Sequence, residues 1–377
     1  MAPRSRSEIK NVRRTDQRRK AENRNDSWDE ARSQRRVLWF GGSIALIVIA
    51  LAGAWFFVAS QVNKLIEREL EGLNRPDQTV TCAGQDIVGF PFRMGLKCDG
   101  IQFASRRNKV SVEAGTLRTA AQVYAPRHQI VELQSPVRIT SPQTIPTTID
   151  WDSARSSIRI DSNNALQRII LEINEISAST SLPDAPARAL IKLGRLFSVA
   201  EPYAIQGDGA PTDLRLFVQA DSIVPSGISL PPLSFQGTLA LDEGTVLLSN
   251  PEGWLDMVSS LRNPIRLEGV TVQSGNTIIE LSGQLSLSSE GLLNGTLRLA
   301  GQGLEEGLQA LQAGIDPRAT ELKQTVDTIV PTILALALPD PDNPKIRNAP
   351  PITIRDGQIS LGLLPMGTIA PINMPGR

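Results

Sequence analysis

Residues 37–60, VLWFGGSIALIVIALAGAWFFVAS, hold no charged side chain. No other part of the chain restricts its fold as much. About 20 apolar residues are what a helix needs to cross the hydrocarbon core of a bilayer. The run is longer than a typical secretory h-region, and no small-x-small cleavage site follows it. Trp39 and Phe40 stand at one end and Trp55, Phe56 and Phe57 at the other. That is the aromatic-belt arrangement of a segment spanning two interfaces. Arg32, Arg35 and Arg36 come just before it. By the positive-inside rule the N-terminus is expected in the cytoplasm and residues 61–377 are expected to be exported. The competing reading is a buried core helix, which rarely runs this long without a charge.

Residues 1–36 carry 12 Lys and Arg against 6 Asp and Glu, with almost no apolar side chain. They read as a disordered basic cytoplasmic tail. Such a tail serves as a topology signal; contact with anionic lipid or nucleic acid is the other use of this composition. The rest of the chain keeps 27 basic and 33 acidic residues. A basic head on a mildly acidic body is unlike a nucleic-acid-binding domain, so nucleic acid is not an expected partner. The body is poor in aromatics, at 4%, and holds many of the 29 Gly and 26 Pro. That mix suits short strands and turns better than a helical bundle.

Two cysteines, Cys82 and Cys98, are all the chain contains. In an oxidising compartment they can close a loop, which by chain entropy stabilises by roughly 3 kcal/mol. Metal binding would need more ligands, and the chain has one histidine, His128. A catalytic thiol would need a base, with the same histidine as sole candidate, and the spacing is not that of a CxxC redox pair. The expectation is a structural disulfide pinning a first hairpin. Its strands are TVTCAGQDIV and FRMGLKCDGIQF, joined through Gly89 to Pro91.

These residues also carry a resemblance. The apolar span is followed by a short helix, VNKLIERELEGL, and then by C-x-G…GFPFR…C, with Cys82, Gly84, Gly89, Phe90, Pro91, Phe92, Arg93 and Cys98 in place. This resembles an uncharacterised envelope family, domain-of-unknown-function family 2125 (DUF 2125), and ITIRDGQISLGLLPMGTIAPI resembles its closing strand pair. The resemblance brings no activity. It implies a protein of Gram-negative cells, anchored in the inner membrane and facing the periplasm.

Beyond residue 97 the pattern alternates with period two. KVSVEAGTLRTAAQVY, HQIVELQSPVRIT, SSIRIDS and RIILEINEISAST are examples, punctuated by Pro126, Pro136, Pro142 and Pro146. Successive strands of this kind pair antiparallel with one face buried. ARALIKLGRLFSV, residues 187–199, reads as a short helix, and so does PEGWLDMVSSLRN, residues 251–263. Strands are expected at TDLRLFVQADSIV, SFQGTLALDEGTVLLS, PIRLEGVTVQSGNTIIELSGQLSLSSEG and LLNGTLRLAGQG. Gly291 and the Asn294-Gly295 pair mark turns or bulges. The Leu-Gly rhythm here is similar to the C-terminal repeats of AsmA-like proteins, which implies a long curved sheet in the periplasm. Residues 303–338 then switch to helical spacing. Leu304, Leu308 and Leu311 share one face, Leu322 and Val326 another, Pro317 fits the start of the second helix, and Pro331 is expected to kink or end it. ITIRDGQISLG closes the chain as a hairpin, with Asp356-Gly357 as a type I′ turn.

Catalytic constellations are missing. GxSxG, P-loop, HExxH and a strand-borne GxGxxG do not occur. His128 reads as a surface or loop residue. The carboxylates Asp150, Asp152, Asp161, Asp340 and Asp342 are of the loop type. Apolar surface is what remains. Leu281, Leu285 and Leu287, with Leu297 and Leu299 on a second strand, are candidates for the wall of a lipid-holding groove. Arg93 and Lys97 read as lying close to the membrane, where they could meet a headgroup, although Arg93 fits a structural partnership as well.

The expected molecule therefore has a tail over 1–36, a transmembrane helix over 37–60 and a periplasmic domain over 61–377 with a helical insertion near 303–338. The domain is mainly β with short helices, a large antiparallel open sheet. The expected function is non-enzymatic and needs no cofactor or metal: binding or shielding of phospholipid or another envelope lipid. The alternative is a scaffold or assembly factor for another envelope protein.

Overall fold

A computed structural model describes residues 39–371, apart from 69, 73, 75, 107, 108, 143, 163, 164, 181–187, 204–212, 243, 246–263, 289 and 316–319. The basic tail, the helix expected over 251–263 and Pro317 lie outside the described residues. The chain divides into two compact units, the second beginning at Leu65.

Helix α1, Trp39–Gly72, is long and apolar enough to cross a membrane. Trp39, Leu46, Ile49 and Phe57 are all exposed. Of its residues Ala59 is buried, and most of the apolar run stays uncovered, unlike the helix of a soluble core. The short helix expected over 62–73 is not separate. No Gly or Pro interrupts Gln61 to Leu70, so α1 runs on through it.

The second unit is built on an open sheet in which every pairing is antiparallel. Its first part comprises β1 (Gln78–Ala83), β2 (Asp86–Val88), β3 (Arg93–Cys98), β4 (Gly100–Ser105), β5 (Val110–Ala114) and β6 (Leu117–Gln122). Then come β7 (Ala125–Leu133), β8 (Val137–Ser141), β9 (Thr144–Asp150), β10 (Ser153–Ile160) and β11 (Leu166–Thr180). The pairings show that most of these are halves of longer strands. β1–β2 lies beside β3–β4, which lies beside β5–β6, then β7–β8, then β9–β10, then the unbroken β11.

The breaks fall in one row across the sheet. They are Gly84-Gln85, Asp99, Gly115-Thr116, Gln134 to Pro136, and Trp151-Asp152. The row continues through Glu175 (φ 53) of β11. Hydrogen bonds stitch it together. The Asp99 N–H donates to the Ala83 carbonyl (2.7 Å), the Gln134 N–H to Thr116 (2.9 Å) and the Asp152 N–H to Asn174 (3.0 Å). Trp151 Nε1 donates to the Leu133 carbonyl (2.9 Å). Cys82 and Cys98 flank the row in the first two strands and are joined as expected, with Cα atoms 5.3 Å apart and Cys98 fully buried. The first hairpin is thus two strands, each broken in two.

Next follow β12 (Ala189–Tyr203), β13 (Asp213–Pro225), β14 (Leu233–Leu241), β15 (Ile265–Ser274), β16 (Thr277–Leu287) and β17 (Leu293–Gln302), each paired with the one before. β12 corrects the helix expected over 187–199. Gly194 lies in the same row, between the pairs that flank Glu175 of β11 and Ser222 (φ 55) of β13. There the inward set changes from Ile191 and Leu193 to Leu196 and Ser198. That one shift gives a bent strand a spacing that looks helical, while β11 and β13 satisfy its backbone on both sides. Asn294-Gly295 is also not a turn. It lies inside β17, where a Cβ on Gly295 would collide with the Gln284 carbonyl oxygen. The Asn294 side chain instead accepts the Asp356 N–H (2.8 Å). Gly291 does stand in the β16–β17 turn.

Helices α2 (Leu304–Gly314) and α3 (Thr320–Leu336) occupy the expected insertion, and α3 continues through Pro331. Five short strands end the fold: β18 (Leu338–Pro339), β19 (Ile346–Asn348), β20 (Ile352–Arg355), β21 (Gln358–Leu361) and β22 (Leu364–Thr368). β19 and β20 both pair with β17. Asp356 (φ 49) and Gly357 (φ 78) form the β20–β21 turn with both central residues left-handed, as a type I′ turn requires.

Two outcomes test this description. A Cβ at Gly115 would come within 2.5 Å of the Gln134 carbonyl oxygen in the row of breaks. Gly115→Ala is expected to lower stability by about 1–3 kcal/mol in chemical denaturation, the cost of overpacking. On the charged face, Arg266 donates to the Tyr203 hydroxyl (2.7 Å) and pairs with Asp242 (2.7 Å). Burial raises the Tyr203 pKa and Arg266 draws it back down. In a Tyr124→Phe background, phenolate absorbance should therefore titrate at higher pH once Arg266→Met is added.

Candidate functional site

Residues paired directly across an antiparallel sheet share a face, so the register assigns each side chain a side. Ile158 lies opposite Ile169, and Ile169 opposite Ala200. Ala200 lies opposite Leu216, Leu216 opposite Leu239 and Leu239 opposite Leu267. Val270 pairs with Leu281 and Leu281 with Leu299. From β10 to β17 the described residues of this face are Ile, Leu, Val, Phe, Ala, Gly, Pro, Ser and Thr. No ionisable side chain interrupts them. The chain keeps this face through the row of breaks because neighbouring strands shift together. Where β15 shifts alone, at Gly269 (φ 63), both its pairings record the bulge.

The opposite face is charged. Cross-strand pairs run along it: Arg155–Glu132 (2.7 Å), Arg168–Glu201 (2.7 Å), Arg195–Glu172 (3.0 Å) and Arg266–Asp242 (2.7 Å). Such partly exposed pairs contribute little stability each. They do mark which side of the sheet is wet.

In a closed core the uncharged side would be buried. Leu214, Ala220, Leu241 and Val270 are, but most of its aliphatic side chains stay partly exposed. Helix α2 covers one corner. Leu308 and Leu311 face Leu233, Val272 and Ile279 across an apolar hollow of about 460 Å³. The five leucines singled out from the sequence come together on the uncharged face, outside the lining of that hollow. Leu281 is opposite Leu299, Leu297 is opposite Gly283, and Leu285 and Leu287 continue the same side. The sequence reading missed how far the face extends towards β10. Its signal was the alternation in RIILEINEISAST, which supplies Ile169, Leu171 and Ile173.

The remaining candidates are spread over other parts of the sheet and its turns. His128 lies in β7, where Nε2 shares a hydrogen bond with Ser157 Oγ (2.9 Å). Asp161 accepts the Ala165 N–H (2.8 Å). Asp340 accepts the N–H groups of Asp342 and Asn343 and the Asn348 amide, and these bonds hold its carboxyl below the usual range. Among the described residues no group of His, Cys, Asp and Glu could hold a metal ion. Lys97 pairs with Asp99 (2.7 Å). GFPFR forms the turn from β2 into β3, and the Arg93 N–H donates to the Gly89 carbonyl (2.9 Å). The sheet begins at Gln78, and the GFPFR turn is at the other end of β1–β2.

Among curated proteins none matches the chain. The Leu-Gly rhythm shared with AsmA-like proteins stays a likeness of pattern. A family model described as "Uncharacterized protein conserved in bacteria (DUF2125)" matches residues 55–370, from within α1 to beyond the last strand. The chain belongs to this family.

Proposed function

We propose that this is a non-enzymatic protein of the cell envelope, anchored in the inner membrane by α1 with its sheet in the periplasm, and that the sheet binds or shields lipid acyl chains. One observation carries the reading: an uncharged aliphatic face that continues over many strands and is left partly exposed. Hydrocarbon is the ligand chemistry such a surface suits, since it offers dispersion and burial and no convergent polar groups. The disulfide is consistent with an oxidising compartment. A second reading is an assembly factor that pairs with a partner through a sheet edge. It is favoured by β22, beside which Leu363 is 99% exposed.

The test uses the second compact unit, residues 65–377, made in a periplasmic host and purified without detergent. Native mass spectrometry followed by lipid extraction is expected to find bound phospholipid. Leu281→Asp, which puts a carboxylate on the uncharged face, should retain roughly tenfold less, because an unpaired charge there is costly. Gln284→Asp, on the wet side of the same strand, should retain as much as the wild type. Lipid-free wild-type protein of full stability would remove the acyl-chain reading and leave the edge-pairing one.

A further inference from the structure

Two neighbouring turns at one end of the sheet expose large apolar side chains. The β2–β3 turn presents Phe90 (49% exposed) and Phe92 (66%), and the β6–β7 turn presents Val123 (55%) and Tyr124 (75%). They are tied together. Arg93 is registered opposite Gln122, and the Val123 N–H donates to the Phe92 carbonyl (3.0 Å). Gly89 (φ 109) adopts a backbone conformation that other residues rarely take. Single exposed apolar residues need no explanation. Turn tips, however, are normally built of Gly, Asn, Asp and Ser, and a contiguous apolar patch on one marks a contact surface.

The charge around the patch narrows the partner. Within the two turns, residues 89–93 and 122–128 contain Arg93, Arg127 and His128 and no Asp or Glu, while Asp161 stands in the next turn along, two residues past Arg159, the register partner of His128. Aromatic side chains with flanking arginines are the composition of segments that seat at the headgroup level of anionic bilayers. The tip lies at the opposite end of the first strands from Gln78, where the chain enters the sheet.

We propose that the Phe90–Phe92 and Val123–Tyr124 turns form a tip that docks on the surface of an anionic lipid bilayer. This does not depend on acyl chains lying along the sheet. The tip is a contact for a membrane surface, and the uncharged face is a site for single lipids.

Vesicle capture separates the two. The full chain is held in nanodiscs and mixed with fluorescent vesicles of phosphatidylethanolamine and phosphatidylglycerol, and bound vesicles are counted after flotation. Wild type is expected to capture these and to capture phosphatidylcholine vesicles poorly. Phe92→Ser with Tyr124→Ser should cut capture about tenfold, and Arg127→Glu should weaken it in proportion to the anionic lipid present. Leu281→Asp should leave capture unchanged even where it lowers lipid retention. An intact Cys82–Cys98 disulfide and an unchanged thermal midpoint establish that the tip variants are folded. No capture by wild type, or equal capture by the folded double-serine variant, would overturn the proposal. Protein-only cross-links at the tip with no vesicle bound would assign the tip to a protein partner and overturn it as well.

Discussion

Register between antiparallel neighbours is the constraint on which the rest of this molecule depends. Two residues paired across strands share a face, so a slip of one position would carry aliphatic side chains into water and arginines onto the dry side. The chain meets a harder version of this demand, because its long strands bend midway. A bend that takes an extra residue reverses the alternation beyond it. The reversal does no harm when every neighbour makes it in the same row. Asp99, Gly115-Thr116, Trp151-Asp152, Glu175, Gly194 and Ser222 are that row. The disulfide sits at its outer end, where the first strands have fewest neighbours to hold them in place.

How well the sequence could be read follows from the same point. β16 and β17 are plain alternations, and the Asp356-Gly357 turn states its own geometry, so both were legible. α2 and α3 were legible from their change of period. β12 was not, because Leu193, Leu196 and Phe197 stand at i, i+3 and i+4, the spacing of a helix face. The correct reading needed β11 and β13 alongside. Asn294-Gly295 misled for a related reason: the dipeptide suits a turn, and here the glycine makes room for the facing carbonyl of Gln284. For the site, the leucines of β16 and β17 could be picked out singly. Their union with Ile169, Leu216 and Leu267 into one surface is a property of pairing, which no single strand contains.

Charge sorting explains why the sheet can stay open. One side carries cross-strand Arg–Glu pairs and is stable in water as it stands. The other carries hydrocarbon, with α2 over one corner. Soluble domains usually answer such a surface with a second layer. Among the described residues this chain supplies a pair of helices and leaves much of the surface accessible.

The plain succession of hairpins has a consequence for how the sheet forms. Through β17 the main strands pair with those just before and after them in the chain, so most stabilising contacts are close in sequence. Assembly of that kind resembles a zipper more than a knot: each new strand needs only the edge already laid down, as in repeat proteins. A chain that emerges N-terminus first could add strands one after another in order of arrival, with the last edge always serving as the template for the next.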